Sequence, residues 1–266
     1  MGWITPLVLD TDAANLITAA NISNITVINA VNTVIISSKT NGWWDLCNGI
    51  YGMAGDNINQ TYAFQYKYNW KDPRDLDAAY RLVFNGTITQ DANGITGNGA
   101  SGSYADTFIA PNILSQDSAH ISVYIRTDVQ EAKYDIGSYN PGSNYISAIA
   151  SRYSGNVNYD SINSGTANEI SASNSDSRGY FLSNRTASNS NKGYKNATEV
   201  ASGTVASVAP ASSPNFLLCS VGGLTATHCS SKNIAFATFG ASLTPTQITN
   251  MYTDIQNFQT ALGRQV

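Results

Sequence analysis

Tyr139, Tyr145, Tyr153 and Tyr159 lie in or beside a loop-rich stretch that also holds Asn140, Asn144, Asn156, Asn158 and Asp160. Aromatic faces stack on the apolar faces of pyranose rings, while amide and carboxylate oxygens hydrogen-bond the hydroxyls. The set therefore has the composition of a glycan-binding surface. On a strand through Tyr145, the residues Tyr145, Ser147, Ile149, Ser151 and Tyr153 share one face. The same tyrosines could instead pave a sheet face against a neighbouring subunit. Tyr139, Tyr145, Tyr153, Tyr159 and Asp160 are the candidate glycan contacts, with subunit packing as the competing use.

Catalytic arrangements are harder to assemble. Glycoside hydrolases use two carboxylates about 5–9 Å apart, and the glutamates here are Glu131, Glu169 and Glu199. None has another carboxylate two residues away, the spacing that aims both groups at one face of a strand. Asp75-x-Asp77 has it, but precedes the first strand and reads as turn or capping groups. His120 and His228 sit in no nucleophile–base motif, and there is no G-x-S-x-G elbow or phosphate-binding loop. The glycine-rich Gly97–Gly102 lies between strands and reads as a turn or bulge. The expectation is a protein that is not an enzyme, with a polysaccharide-degrading sandwich as the alternative.

Three cysteines do not make a disulfide framework. Cys47 reads as a buried thiol. Cys219 and Cys229 flank Gly222-Gly223 and could face each other across a hairpin; the expectation is that both stay reduced. With His228 they offer three metal ligands where a structural zinc site takes four. Calcium held by Asp and Asn oxygens is conceivable in a lectin-like sandwich, but no dense D-x-D-x-D run supports it, so no cofactor is expected.

Hydrophobic residues make up 42% of the 266-residue chain and charged residues only 12%. The former suffices for a large core, and the latter is about half the usual share. Ser, Asn, Thr and Gly take the place of charge, as suits an extracellular or particle surface. The net charge is −4 and the pI about 5.0. Without a basic cluster, nucleic acid is not an expected partner. No apolar run of ~18 residues suggests a membrane span, and no signal peptide is recognisable at Met1-Gly2-Trp3-Ile4.

The elements that must position these groups fall into three blocks. Residues 10–20 read as a short helix capped by Asp10 or Thr11. Asn24 to Thr40 reads as a second helix, on the spacing of Ile28, Val31, Ile35 and Ser38, and Asn41-Gly42 stops it. Trp43 to Tyr51 reads as a third short helix or an irregular turn. From Tyr80 to Phe239, alternating stretches recur between Gly-, Asn- and Ser-rich turns, which predicts an antiparallel β-sandwich over about 75–242. Ala79–Phe84 is expected as its first strand, with Asn85-Gly86 and Asn93-Gly94 as tight turns. Thr244-Pro245-Thr246-Gln247 then signals a closing helix over 244–263, with Ile248, Met251, Tyr252, Ile255, Phe258 and Leu262 on one apolar stripe.

Asp72-Pro73, Asp75-x-Asp77-Ala78-Ala79-Tyr80-Arg81-Leu82, Asn98-Gly99 and Tyr104-Ala105-Asp106-Thr107 also carry a resemblance. So do Tyr124-x-Arg126-Thr127, Asp135-Ile136-Gly137, Gly193-Tyr194-Lys195-Asn196 and Ala235–Gly240. The most specific match is Tyr252-x-x-x-Gln256-x-Phe258-Gln259-Thr260-x-Leu262-Gly263-Arg264. Together they resemble a family of phage virion proteins (tail, fibre or surface components, often from phages of Bacteroidetes hosts) with a concanavalin A/laminin G-like sandwich. The resemblance implies a helical region and docking segment over 1–70 and a jelly-roll sandwich with its closing helix over 71–266. It implies a virion-surface subunit assembled in the host cytoplasm: a fibre, tail or capsid-decorating protein, with host-surface polysaccharide as candidate ligand. A purely structural cement subunit is the alternative. Other virion proteins and further copies of the chain are the expected partners, and Trp3, Ile4 and Leu7 in the apolar start are the candidate docking residues.

Overall fold

In a computed structural model of the protein, every residue of Ala119–Ile125 is buried, although the stretch alternates in character. Ile121, Val123 and Ile125 belong to one core and Tyr124 to another. A strand with apolar partners on both faces must lie in a sheet covered on both sides. The structure describes residues 8–56, 62–140, 142–219, 221–222 and 225–266, so the candidate docking residues Trp3, Ile4 and Leu7 lie outside it.

Two antiparallel sheets form the sandwich. The first contains β1 (Cys47–Tyr51), β3 (Ile88–Asp91), β4 (Gly94–Gly97), β6 (Ala119–Ile125), β11 (Gly179–Ala187), β12 (Ser190–Lys195), β13 (Thr198–Gly203) and β17 (Asn233–Gly240). Its order is β13-β12-β11-β6-β17-β4-β3, with β1 also paired to β17. The second contains β2 (Val83–Asn85), β5 (Tyr104–Asp106), β7 (Ile136–Asn140), β8 (Tyr145–Tyr153), β9 (Val157–Gly165), β10 (Ile170–Ser173) and β14 (Phe216–Leu217). It runs β10-β9-β8-β7-β14-β5-β2, and the two-residue strands β15 (Val221–Gly222) and β16 (Thr225–Ala226) attach beside β7. Ile121, Val123, Ile136, Ile149, Ile162, Phe181, Leu217 and Phe239 pack between the sheets.

Helices cover the other face of the first sheet. In α1 (Thr11–Ala19), Asp10 caps the N-terminus by accepting from the Asp12 amide. In α2 (Ile25–Thr40), Asn24 accepts from Thr26 and Val27. A short α3 (Tyr62–Tyr66) follows, and α4 (Pro245–Ala261) carries the expected capping box between Thr244 and Gln247. Leu16, Val31, Ile35, Trp43, Trp70, Ile248, Met251, Ile255 and Phe258 form one cluster with Tyr124, Tyr180 and Phe236 of the sheet. Burying four apolar α4 side chains at roughly 1.5–3 kcal/mol each contributes on the order of 10 kcal/mol before entropy is subtracted. One face of the first sheet thus lies under helices and the other against the second sheet; among the described residues, no helix belongs to the second sheet's outer face.

Three expectations are corrected. Trp43–Tyr51 is a single 3-10 turn, Trp44–Leu46, followed by strand β1, which pairs with β17 from Cys47↔Gly240 to Tyr51↔Ala237. Ala79–Phe84 is not one strand. Asp77–Ala79 is a 3-10 turn, Tyr80 adopts a left-handed φ of 61°, and extended pairing begins at Val83. Gly86 then carries the chain from one sheet to the other, because β2 pairs with β5 while β3 pairs with β4. Of the two expected tight turns, the one at Asn93-Gly94 closes a hairpin and the one at Asn85-Gly86 does not. Finally, Cys219 and Cys229 are joined in a disulfide rather than reduced. The loop residues flanking the bond are held by backbone bonds to β7's approach: Leu218 N–H to the Asp135 carbonyl, and Tyr134 N–H to the His228 carbonyl.

Candidate functional site

The sandwich brings together two of the five expected glycan contacts. Tyr153 ends β8 and Tyr159 lies near the start of β9, and their rings meet edge to face at 5.4 Å. Ala150, the cross-strand partner of Tyr159, is small and fully buried, so β8 raises no bulky side chain between the rings. Tyr145 stands at the opposite end of β8 and Tyr139 beside it on β7, where Tyr139 hydrogen-bonds Asn144 at 2.9 Å. Tyr145 and Tyr153 are eight residues apart along one strand, about 26 Å at the usual rise. A single sugar unit does not span that distance. The alternation expected along 145–153 is also broken, since register shifts fall between Ile146 and Ala148 and between Ala150 and Tyr153.

Asp160 is not a surface ligand. It follows Tyr159 on β9 and so projects to the other face, between the sheets. A Cβ built on Gly193 of β12 would come within 2.3 Å of its Oδ2, so glycine at 193 makes room for this carboxyl. Asn158 Nδ2 donates to Oδ2 at 2.5 Å, and burial drives the Asp160 pKa well above the ordinary carboxylate range, with the charge of Glu169 adding to the effect.

Three residues complete the cluster around Tyr153 and Tyr159. Tyr134, at the entry to β7, lies 6.0 Å from Tyr153, ring centre to ring centre. His228 sits edge-on to Tyr134 at 6.3 Å. Glu169, just before β10, accepts from the Tyr134 hydroxyl at 3.1 and 3.2 Å. Burial raises the Glu169 carboxyl to about 7, against the lowering effect of that hydrogen bond. Tyr134 is pushed up in turn by burial and by the neighbouring Glu169 charge. The group thus joins aromatic surface, a carboxyl poised near neutrality and an exposed imidazole at the rim.

A rigid base holds Tyr134 in place. The next residue, Asp135, is fully buried and accepts from Lys232 Nζ at 2.9 Å, Ser230 Oγ at 2.8 Å and Ser151 Oγ at 2.6 Å. Glu131 adds a second carboxylate 3.6 Å from the same ammonium. A buried lysine compensated this fully cross-links β17, β8 and the approach to β7. Sequence reasoning missed Tyr134, Glu169 and His228 because they come from three separate segments. Only strand pairing brings them together: Ile170 opposes Asp160 across β10 and β9, and Asp135 N–H bonds the Ile149 carbonyl. The rarity of glutamate in this chain was the one available signal for Glu169.

Asp75, Asp77 and His120 are structural. Asp75 and Asp77 pair with Arg81, and Asp75 also with Lys67, which gives them a turn-fastening role. His120 is fully buried between Ala241 O, at 2.5 Å, and Thr238 Oγ1, at 3.0 Å. Among the described residues, no group of three or more His, Cys, Asp or Glu side chains is placed to hold a metal, and no helix is long and apolar enough to cross a membrane.

No family model matches the chain, and no curated protein matches it. Solved structures do. A sialidase from Trypanosoma rangeli in complex with sialic acid superposes with a TM-score of 0.50 at 9% identity, over 77% of this chain and 32% of that one. Domain 4 of AbnA, a GH43 extracellular arabinanase from Geobacillus stearothermophilus, in complex with arabinotriose, gives 0.43 at 18% identity, covering 64% and 86%. The binding domain of botulinum neurotoxin serotype G gives 0.45 at 12% identity, covering 78% and 50%. The chain spans about a third of the sialidase's length. What it shares with that protein is the fold: an antiparallel β-sandwich.

Proposed function

We propose that this protein is a glycan-binding β-sandwich without catalytic turnover, and that Tyr134, Tyr153 and Tyr159, with Glu169 and His228, form its binding surface. The observation that carries this reading is the convergence of three tyrosines and a carboxyl on the outer face of the sheet that, among the described residues, no helix covers. Aromatic rings supply stacking area at low entropic cost, and the carboxyl and imidazole supply directional hydrogen bonds. A binding role fits better than hydrolysis because Glu169 and Asp160 project to opposite faces of one sheet. A glycosidic bond cannot lie between them as hydrolysis requires.

The setting we propose is the surface of a phage particle, as a fibre, tail or capsid-decorating subunit presenting this face to host polysaccharide. The family resemblance along the chain and the low charge content support it. Glycan-array binding by the purified protein, compared with Tyr153→Ala, tests the molecular role. Array signal that disappears in the variant is expected; signal unchanged by it, or reducing ends released from a bound polysaccharide, would refute the reading. Immunogold labelling of intact particles tests the setting separately.

A further inference from the structure

Glu169 differs from the other two glutamates in what it meets. Glu131 lies 3.6 Å from Lys232 Nζ and accepts from Ser230 and Ser231. Glu199 pairs with Lys192 at 2.8 Å. Among the described residues, Glu169 accepts only from the Tyr134 hydroxyl and has no cationic partner. The rings beside it are steeply inclined to one another, at 52° for Tyr134 and Tyr153 and 90° for Tyr153 and Tyr159. Rings set this way present their faces in several directions rather than paving one flat platform. Their quadrupoles put negative charge on the ring faces, and an unpaired carboxylate stands among them.

We propose that Tyr134, Tyr153, Tyr159 and Glu169 form a cage for an ammonium group, and that the sugar bound here carries a free, unacetylated amine. The inference rests on the glycan-binding reading and narrows it to one ligand chemistry. A sugar ammonium would gain cation–π contact with the rings and a charge-assisted hydrogen bond to a carboxylate already partly stripped of water. A uronic or sialic acid would instead bring its charge toward the Glu169 carboxylate. The titratable groups facing Glu169 are Tyr134, Tyr153, Tyr159 and Asp160, with His228 beyond Tyr134. None is a fixed cation that would hold an acidic sugar or neutralise Glu169 in advance.

Three oligosaccharides with the same β1–4 backbone test this: chitosan oligomers (free amine), chitin oligomers (N-acetyl) and cello-oligosaccharides (hydroxyl), each titrated calorimetrically into the folded protein near neutral pH. The amine series is expected to bind about tenfold tighter than the other two. Glu169→Gln should erase that preference with the fold intact by circular dichroism. Equal binding of all three series, or a preference indifferent to Glu169→Gln, would overturn the amine inference and leave the glycan reading standing. Binding of none of the three, while other glycans bind on an array, would do the same. Failure to bind any glycan would remove both.

Discussion

Arg264 offers the sharpest test of how the chain closes its fold. The side chain is 2% exposed, and all its donors are engaged. Nε donates to Gln259 Oε1 at 2.6 Å. Nη1 reaches the carbonyls of Met53 (2.7 Å) and Ala92 (3.2 Å), and Nη2 those of Gly52 (2.7 Å) and Ala235 (3.2 Å). One guanidinium thus ties the residues after α4 to the end of β1, the β3–β4 turn and β17. Burial lowers its pKa to about 10, so it remains charged at neutral pH. Arg264→Ala would leave four backbone carbonyls without this partner, at about 1 kcal/mol each, and would recover part of the cost of burying a charge. The net loss should be about 3–4 kcal/mol, which lowers Tm by roughly 10 °C at 2–4 °C per kcal/mol for a chain of this size. Arg264→Lys should recover little, because an ammonium cannot fork to carbonyls on opposite sides. Urea and thermal unfolding of the three proteins provide the measurement. An alanine variant within about 1 kcal/mol of the parent would refute the view that these bonds hold the segments together.

Other expected outcomes follow from the same structure. Truncation after Gly240 removes α4 and bares Tyr124, Tyr180 and Phe236, so the product should be insoluble or lack cooperative unfolding; a soluble product with the parent's transition would show that α4 is dispensable. Cys219→Ser should lower stability by about 3 kcal/mol, from the loop that the 10-residue separation closes, and should loosen His228, as hydrogen exchange at Tyr134 would report. The pH dependence of folding contains two opposed contributions. The folded Glu169 carboxyl is raised to about 7, so its contribution is fully present below the unfolded value of 4.5 and is lost as pH rises through 7; Asp160, also raised, acts in the same direction. His120 is depressed to about 4, so its contribution is present above 6.5 and lost as pH falls toward 4. Glu169→Gln should therefore make stability rise more steeply between about pH 5 and pH 7, and His120→Gln less steeply; urea midpoints with the parent's slope in both variants would contradict these assignments.

Much of the architecture was legible because its signals are local. The Thr244–Gln247 capping box, the Asn24 cap and the stop at Asn41-Gly42 each lie within a few residues of the backbone they fix. Trp43–Tyr51 was misread because β1 is held by β17, nearly the whole chain away, and its own sequence, CNGIY, has no strand pattern. Ala79–Phe84 misled because alternation is indifferent to the left-handed turn at Tyr80, which the Tyr51 hydroxyl fastens by donating to its carbonyl at 2.6 Å. The candidate site was half legible. Tyr153 and Tyr159 are close in sequence, so a hairpin brings them together. Asp160, counted among the candidate contacts, is buried between the sheets, and Tyr134, Glu169 and His228 depend on register across four strands and a disulfide-bounded loop, which no spacing rule encodes.

The central claim is that the outer face of the second sheet binds sugar at the tyrosine cluster. Chemical-shift mapping with a glycan that scores on the array tests it most directly. The account predicts that the largest changes fall on Tyr134, Tyr153, Tyr159 and Glu169 and saturate with ligand, while the groove between α2 and α4 lined by Ala30, Thr33 and Asn257 stays unperturbed. Saturable changes confined to that groove, or to the Tyr139–Tyr145 end of the sheet, would contradict it.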